Sequence, residues 1–356
     1  MVSKVHWLIG LLLFPLGFSA QELEIQEDLT VGRVVFEVRV VDRLGQPVAG
    51  LQAENFQLKI GKKAVPILDC EWVDRRLPVE RAVVDPDWKP ELEQTDHAFI
   101  DEMGPLPGEP GYGKEKFTVV FFQGSINPER LSGMVRSRGF TQQVVDSLPT
   151  DGYTAVFSFH SHLQMKSDFT RDTDILEDAL WEAVQSDPEV VFYAANYPTL
   201  TPYFSEERGR EVADVETAFL ELARALRNFN GAKNLIFVGW GIGSWSPSAG
   251  MRYNGTYYRA VEELIEADVS VFSLDLTLAD YHSLAEGMAK LSVQTGGAYW
   301  SLFRWPNRAV KMINGTMAGH YTLTYEHPTG LRKNAKYRLR LKNARGSLVV
   351  RDPYNR

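Results

Sequence analysis

The 356-residue chain is very poor in cysteine, with a single residue at position 70. One cysteine excludes an internal disulfide framework and any zinc site built from several thiolates. Cys70 alternates with Leu68 and Trp72, a pattern typical of one strand face, so we interpret it as a buried thiol that packs as a small hydrophobe. No activating partner is marked in the sequence, which argues against a nucleophile.

An excess of positive charge is also lacking. The chain has 38 Lys and Arg residues against 46 Asp and Glu, which gives a formal net charge of −8. Non-specific nucleic-acid binding requires a basic surface, so nucleic acid is excluded as a class of partner. The hydrophobic fraction of 44% and the charged fraction of 24% exclude a mostly disordered or fibrous chain. The length allows a large core and predicts two domains.

Long apolar runs are absent after the first 20 residues. Residues 1–20 combine Lys4 with a short apolar run from Trp7 to Phe18 and end on Ala20, which is typical of a secretory signal peptide. The run is short for a membrane span. We therefore expect an exported protein, periplasmic or extracellular, with no span after cleavage. Phe18 is large for the third position before the cut, so a retained N-terminal anchor is the alternative.

The sequence also lacks the signatures of several enzyme classes. It has no G-x-x-x-x-G-K-[ST], no G-x-S-x-G and no H-E-x-x-H. The glycines at 239, 241 and 243 follow a predicted strand, but the third glycine of a dinucleotide-binding fingerprint is missing. His160 and His162 share one strand face without a third metal ligand nearby, and we predict half-exposed residues at a strand end. These absences favour a non-catalytic protein, and an extracytoplasmic hydrolase is the least favoured alternative.

Hydrophobic periodicity divides the remaining chain into four parts. Residues 21–73 alternate polar and apolar residues and predict a small β module. Residues 74–115 carry six prolines with little periodicity and predict a linker. Residues 116–310 alternate apolar strands with amphipathic helices, which predicts a doubly wound, mostly parallel sheet. Residues 311–356 predict a few strands that cannot form a core alone, so we expect them to pack with the N-terminal module as an antiparallel β-sandwich around an inserted α/β domain.

Apolar spacing within the α/β part predicts individual elements. A short edge strand is predicted at 162–166, and the last helix is expected to open with a capping box formed by Thr277 and Asp280. The predicted helices cover residues 128–147, 173–185, 207–229, 255–267 and 277–295.

Several stretches resemble, in order and spacing, the secreted bacterial VWFA-related family, in which a von Willebrand factor type A domain is flanked by short β segments. The resemblance implies a vWA-like, Rossmann-like α/β fold. It also implies a divalent cation above the sheet, held by an Asp-x-Ser-x-Ser loop, a threonine and a strand-end aspartate, because a hard cation prefers oxygen ligands. The stretches are Val40–Leu58, Phe117–Asn127, Asp151–Leu180, Asn234–Gly241, Val269–Asp275, Leu284–Trp300 and Tyr321–Tyr354.

The sequence departs from the family pattern at this cation site. Gln123 stands at the first position of the loop motif, Asn127 stands at the last, and only Ser125 is retained. The strand expected to end in aspartate ends in Gly239 and Trp240. Without an anionic ligand from either position, we predict a degenerate site with no metal and no cofactor.

A weakly bound cation is the alternative at this site. The oxygens of the Gln-x-Ser-x-Asn loop would then act together with nearby Asp275. Thr199 or Thr201 would supply the threonine of the family pattern.

Aromatic residues are dense in the connections expected at the carboxyl ends of the strands, where open α/β sheets bind ligands. Packing of the long loops onto the sheet is the alternative interpretation. We predict a binding or scaffold module for a protein or peptide partner, and carbohydrate or cell-wall binding by the same aromatics is the alternative. The aromatics are Phe192, Tyr193, Tyr197, Tyr203, Phe204, Trp240, Trp245, Tyr253 and Trp305, and the predicted binding face comprises Gln123, Ser125, Asn127, Trp240 and Trp245.

Overall fold

A computed structural model describes residues 33–74, 115–124, Val144, Leu148, and residues 152–185, 198–277, 282–303, 306–328 and 337–350. The predicted signal peptide, most of the predicted linker and all of the predicted 128–147 helix except Val144 lie outside these residues. Ser125 and Asn127 of the predicted binding face also lie outside them. Among the helices that are described, none is long and apolar enough to cross a membrane.

The described residues form strands and helices in the alternation that the sequence predicts for its central part. The strands are β1 (Arg33–Val41), β2 (Phe56–Ile60), β3 (Lys63–Val65), β4 (Asp69–Asp74), β5 (Lys116–Gln123), β6 (Tyr153–Phe159), β7 (Leu163–Thr170), β8 (Ala232–Gly239), β9 (Ser244–Ser246), β10 (Gly250–Arg252), β11 (Val269–Asp275), β12 (Tyr299–Ser301), β13 (Gly319–Glu326), β14 (Tyr337–Leu341) and β15 (Ser347–Val350). The helices are α1 (Thr173–Gln185), α2 (Glu206–Arg210), α3 (Val215–Leu226), α4 (Gly255–Glu266), α5 (Ala285–Gln294) and α6 (Pro306–Met317).

The predicted doubly wound sheet is confirmed. Its six strands lie in the order β12-β11-β8-β5-β6-β7, and β7 alone runs antiparallel to its neighbour. The predicted edge strand is therefore present, and it extends to Thr170. Strand order reverses between β5 and β8, which places the topological switch point of the sheet there. Successive β5 side chains enter separate cores, with Phe121 on one face and Phe122 on the other, which explains why this strand is apolar throughout.

The N- and C-terminal strands form the antiparallel β-sandwich that the sequence predicts. One sheet has the order β15-β1-β13-β4 and the other the order β14-β2-β3. Their shared core includes Val38, Leu58 and Leu323, each almost fully buried. Cys70 is partly rather than fully buried, and burial together with nearby Asp69 raises the pKa of its thiol to about 11. The neutral form is thus favoured, as expected of a packing residue.

A buried arginine joins the sandwich to the α/β layers. Arg39 on β1 is 1% exposed and donates hydrogen bonds to the carbonyl oxygen of Gly296 and, at 3.0 Å, to Ser270 Oγ. Its guanidinium carbon lies 5.7 Å from the centre of the Phe272 ring. Glu37 Oε2 lies 3.5 Å from the same guanidinium. A buried charge requires such partners, so this contact fixes where the sandwich meets the sheet.

Two predicted helices differ from those observed. The helix predicted at 207–229 is wrong as a single element: α2 ends at Arg210 and α3 begins at Val215, because Asp214 caps the second helix by accepting a hydrogen bond from the Thr217 amide at 2.7 Å. The helix predicted at 277–295 begins at Ala285 instead. Asp280 of the predicted capping box lies outside the described residues, and the Thr277 amide donates to Asp275.

Helix α6 was not predicted and spans the boundary proposed between residues 310 and 311. It holds Asn314, Gly315 and Thr316, whose helix propensities are poor. Tertiary packing compensates: Thr316 is fully buried and the helix lies against the β1–β2 connection, where Gly315 directly faces the Gly45 carbonyl. A β-carbon at Gly315 would overlap that carbonyl group.

We expect Gly315→Ala to destabilise the protein by about 3 kcal/mol, because the added methyl group forces helix α6 away from the Gly45 carbonyl. Gly255→Ala is the matched control, since both glycines stand in an Asn-Gly-Thr sequence on a helix and a β-carbon at Gly255 meets nothing within 4 Å. The control should change stability by no more than about 1 kcal/mol, on the stabilising side. Urea unfolding measures both, and equal stability of the two variants would contradict the packing.

Candidate functional site

The switch point of the sheet is closed by a buried amide. Gln123, the last residue of β5, is 3% exposed. Its Oε1 accepts hydrogen bonds from the backbone N–H groups of Trp240 at 3.0 Å and Gly241 at 3.3 Å, just after β8. In the other direction, the indole N–H of Trp240 donates to the Gly124 carbonyl at 3.1 Å. The Gly124 amide in turn donates to the carbonyl of Phe159 at the end of β6. The carboxyl ends of three strands are therefore tied together.

The connection after β8 is fixed at both ends. A β-carbon at Gly239 would lie 2.6 Å from Gln123 Oε1, so only glycine allows this close approach. Gly243 has a φ of 84° and its amide donates to Glu216 at 2.8 Å. Glu216 lies in the first turn of α3 and is 7% exposed. Residues 240–243 thus leave the sheet along a fixed path.

Asp275, the acidic residue expected near a weak cation site, belongs to a network of its own. It is 1% exposed at the end of β11 and accepts hydrogen bonds from the Thr277 amide at 2.9 Å and the Tyr299 hydroxyl at 2.7 Å. His282 Nε2 lies 2.7 Å from the same carboxylate. Burial and the bond to Asp275 raise the pKa of Tyr299 well above its usual value, which keeps the phenol protonated as a donor. The oxygens of Asp275 are therefore already engaged.

The two threonines considered as cation ligands lie elsewhere. The hydroxyl groups of Thr199 and Thr201 both donate to Asp168 Oδ2, and the Leu200 amide donates to Asp168 Oδ1 at 2.9 Å. Asp168 lies on β7, two residues before Thr170, which pairs with Thr154 at the amino end of β6. The prediction that Thr199 or Thr201 completes a site at the carboxyl ends is therefore wrong. The sequence did not show that β7 runs antiparallel and returns the chain to the amino ends of the parallel strands.

The aromatic residues divide between packing and exposure. Trp240 is half-buried and its N–H is engaged, whereas Trp245 on β9 is 50% exposed in the β9–β10 ribbon. Phe204 is buried against Phe157. Tyr203 contacts Phe229 after α3, at the amino end of the sheet, so its predicted place over the carboxyl ends is wrong. Four others lie outside the described residues: Phe192, Tyr193, Tyr197 and Trp305.

A second aromatic cluster follows the ribbon, and only Tyr253 among its members was predicted to lie at the carboxyl ends. Tyr253, Tyr257 and Tyr258 lie in mutual ring contact at the start of α4. Lys290 on α5 places its ammonium 4.3 Å from the centre of the Tyr253 ring. The run of tyrosines was visible in the sequence, but the packing of α5 against it was not.

His160 and His162 are half-exposed, as predicted. Burial lowers the pKa of His160, whose Nε2 lies 3.1 Å from the Ala183 carbonyl. Within the described residues, no group of three or more His, Cys, Asp or Glu side chains is arranged to hold a metal ion.

No protein-family model matches the chain, and no curated protein sequence matches it. Solved structures similar to it include the human COPII-coat protein Sec24c, with 10% identity, a TM-score of 0.40, and coverage of 64% of this chain and 41% of that one. An aerotolerance-related membrane protein from Bacteroides fragilis has 12% identity and a TM-score of 0.37. The match covers 57% of this chain and 98% of that protein. A von Willebrand factor type A protein from Catenulispora acidiphila has 11% identity and a TM-score of 0.40. The match covers 67% of this chain and 66% of that protein. At these values the likenesses carry no conclusion about function, which must be argued from the site.

Titration with Mg²⁺, Mn²⁺ and Ca²⁺ is expected to give no calorimetric binding signal and no change in melting temperature. The reason is that the Gln123 oxygen and the Asp275 carboxylate are already engaged by internal donors, and Gln123 carries no charge. One-to-one binding of any of these ions that disappears in Ser125→Ala would contradict the prediction and support the weak cation site.

Proposed function

We propose that the chain is an exported, non-catalytic binding module that contacts a protein or peptide partner through the connections at the carboxyl ends of the six-stranded sheet, without a required metal. One observation carries the proposal. The connection after β8 is held by hydrogen bonds to Gln123 and Glu216, and it presents Trp245 with half of its surface in solvent.

The chemistry of this face favours apolar contact over ion binding. Gln123, Glu216 and Asp275 are nearly fully buried and are bonded to internal donors. An exposed tryptophan on a fixed backbone offers a large contact area at little cost in conformational entropy. Such residues dominate the binding energy of protein interfaces.

The absence of a catalytic role is part of the proposal. His282 beside Asp275 has the arrangement of a base held by a carboxylate. A nucleophile would have to bond to the other ring nitrogen, Nδ1. Among the described residues, no serine, threonine or cysteine does so. We therefore assign this pair to the support of the β11 end.

Carbohydrate or cell-wall binding is the second candidate, since exposed aromatic rings also suit sugar faces. The specific observation that favours it is the exposure of Tyr258, at 49%, in addition to Trp245. A glycan array and co-sedimentation with cell-wall material distinguish it from peptide binding.

Peptides selected from a random dodecapeptide display library on the immobilised chain provide the probe. Trp245→Ala should weaken their binding, measured by fluorescence anisotropy, at least tenfold, because a central interface aromatic contributes about 2 kcal/mol or more. Trp181→Ala is the matched control, since Trp181 is 45% exposed and lies on α1, outside the connection that follows β8.

Equal effects of the two tryptophan substitutions would contradict the site. A library that yields no binder, together with glycan binding that Trp245→Ala abolishes, would replace the peptide partner with a carbohydrate.

A further inference from the structure

Within the part of the chain that the structure describes, the ammonium group of Lys290 has no counter-ion. The Nζ of Lys290 lies over three tyrosine rings, at 4.3 Å from the centre of Tyr253, 5.4 Å from Tyr258 and 5.6 Å from Tyr257. Within the described part of the chain it has no hydrogen bond or ion pair, and Glu286, one helical turn earlier, does not bond to it. The rings attract the cation through their faces, and the sides of the ammonium away from them keep their donors.

A second polar group in the same cluster is the hydroxyl group of Tyr253. The hydroxyl oxygen of Tyr253 is buried and has no hydrogen bond within the described residues. Burial, with smaller contributions from Glu286 and Tyr258, raises the pKa of Tyr253 to about 12, so the phenol retains its proton as a donor. The Tyr257 hydroxyl, in contrast, donates to Gln294 at 2.9 Å. A buried hydroxyl without a partner is costly, and an incoming acceptor would remove that cost.

Exposed apolar side chains lie on the elements that carry this pair. Tyr258 is 49% exposed, and Val293, one turn beyond Lys290 on α5, is 57% exposed. Trp245 on β9 pairs with Met251 on β10, and Met251 stands two residues before Tyr253. The surface thus combines one cation and one hydroxyl donor with an apolar border, which is the composition of an interface centre.

We infer that Lys290 and Tyr253 bind a carboxylate of the partner, so the partner is a peptide segment in which an acidic group stands beside apolar residues. This inference rests on the proposed function. Complementarity of charge carries it: the ammonium attracts an anion, and the apolar border excludes water from the pair. The buried phenol donates to a carboxylate oxygen once the partner displaces the side chains that cover the hydroxyl group. The site lies between α4 and α5, apart from the switch point, and uses no metal.

Selection of the dodecapeptide library tests the inference. Peptides that bind the unchanged protein should be enriched in Asp or Glu next to apolar residues, and Lys290→Gln should remove that enrichment, whereas Lys290→Arg should retain it. Lys311→Gln, at an exposed lysine on α6, is the matched control and should leave the enrichment unchanged.

One selected peptide is then compared with its Asp→Asn or Glu→Gln version by anisotropy, in free-acid and C-terminally amidated forms. Loss of the peptide carboxylate and loss of the Lys290 ammonium should each weaken binding about tenfold and together little more than either alone, as expected of a coupled pair. The amidated form shows whether the carboxylate is that of a side chain or of the peptide terminus. Melting temperatures of all variants confirm that they are folded.

The outcomes separate this inference from the function on which it rests. Peptides that require Trp245 but show the same acidic enrichment on Lys290→Gln would overturn the carboxylate site and leave the peptide-binding function standing. Peptides indifferent to both Trp245 and Lys290 would overturn both.

Discussion

The amide of Gln123 is the constraint on which the proposed face depends. By accepting from two successive backbone N–H groups after β8, it occupies the position at which an open α/β sheet ordinarily receives a ligand. The same contact directs the chain toward Gly243, where Glu216 holds it again. The β9–β10 ribbon and Trp245 therefore leave the sheet from a fixed base. The neutral side chain of Gln123 therefore joins two strand ends by internal hydrogen bonds.

A second constraint places the β-sandwich. Arg39 is buried between β1 and the α/β layers. Its guanidinium donates hydrogen bonds to Gly296 and Ser270 and lies over the ring of Phe272. On the other side of the junction, Gly315 of α6 meets the Gly45 carbonyl. Both contacts join the first strands of the chain to residues more than 200 positions later. Such contacts form only when these distant parts of the chain are folded together.

Most of the fold followed from periodicity, whereas the site followed only in part. The apolar run of β5 and the helix at 173–185 could be predicted because burial on one or two faces imposes those patterns. Helix α6 could not, because Asn314, Gly315 and Thr316 have poor helix propensities and the burial of Val310, Ile313 and Met317 compensates for them. Gln123 was predicted from the family resemblance and Trp245 from the aromatic residues expected at the strand ends. Lys290 depends on how α5 packs against Tyr253, Tyr257 and Tyr258, and no local pattern encodes that contact.

Hydrogen exchange of the Trp240 and Gly241 amides tests the central claim most directly. If Gln123 closes the switch point, both amides exchange slowly in the unchanged protein, excess Mg²⁺ leaves them unaltered, and Gln123→Leu accelerates both while distant core amides remain protected. Rapid exchange of these two amides in the unchanged protein, or a change in their exchange on adding Mg²⁺, would contradict a face that is held by internal hydrogen bonds and independent of metal.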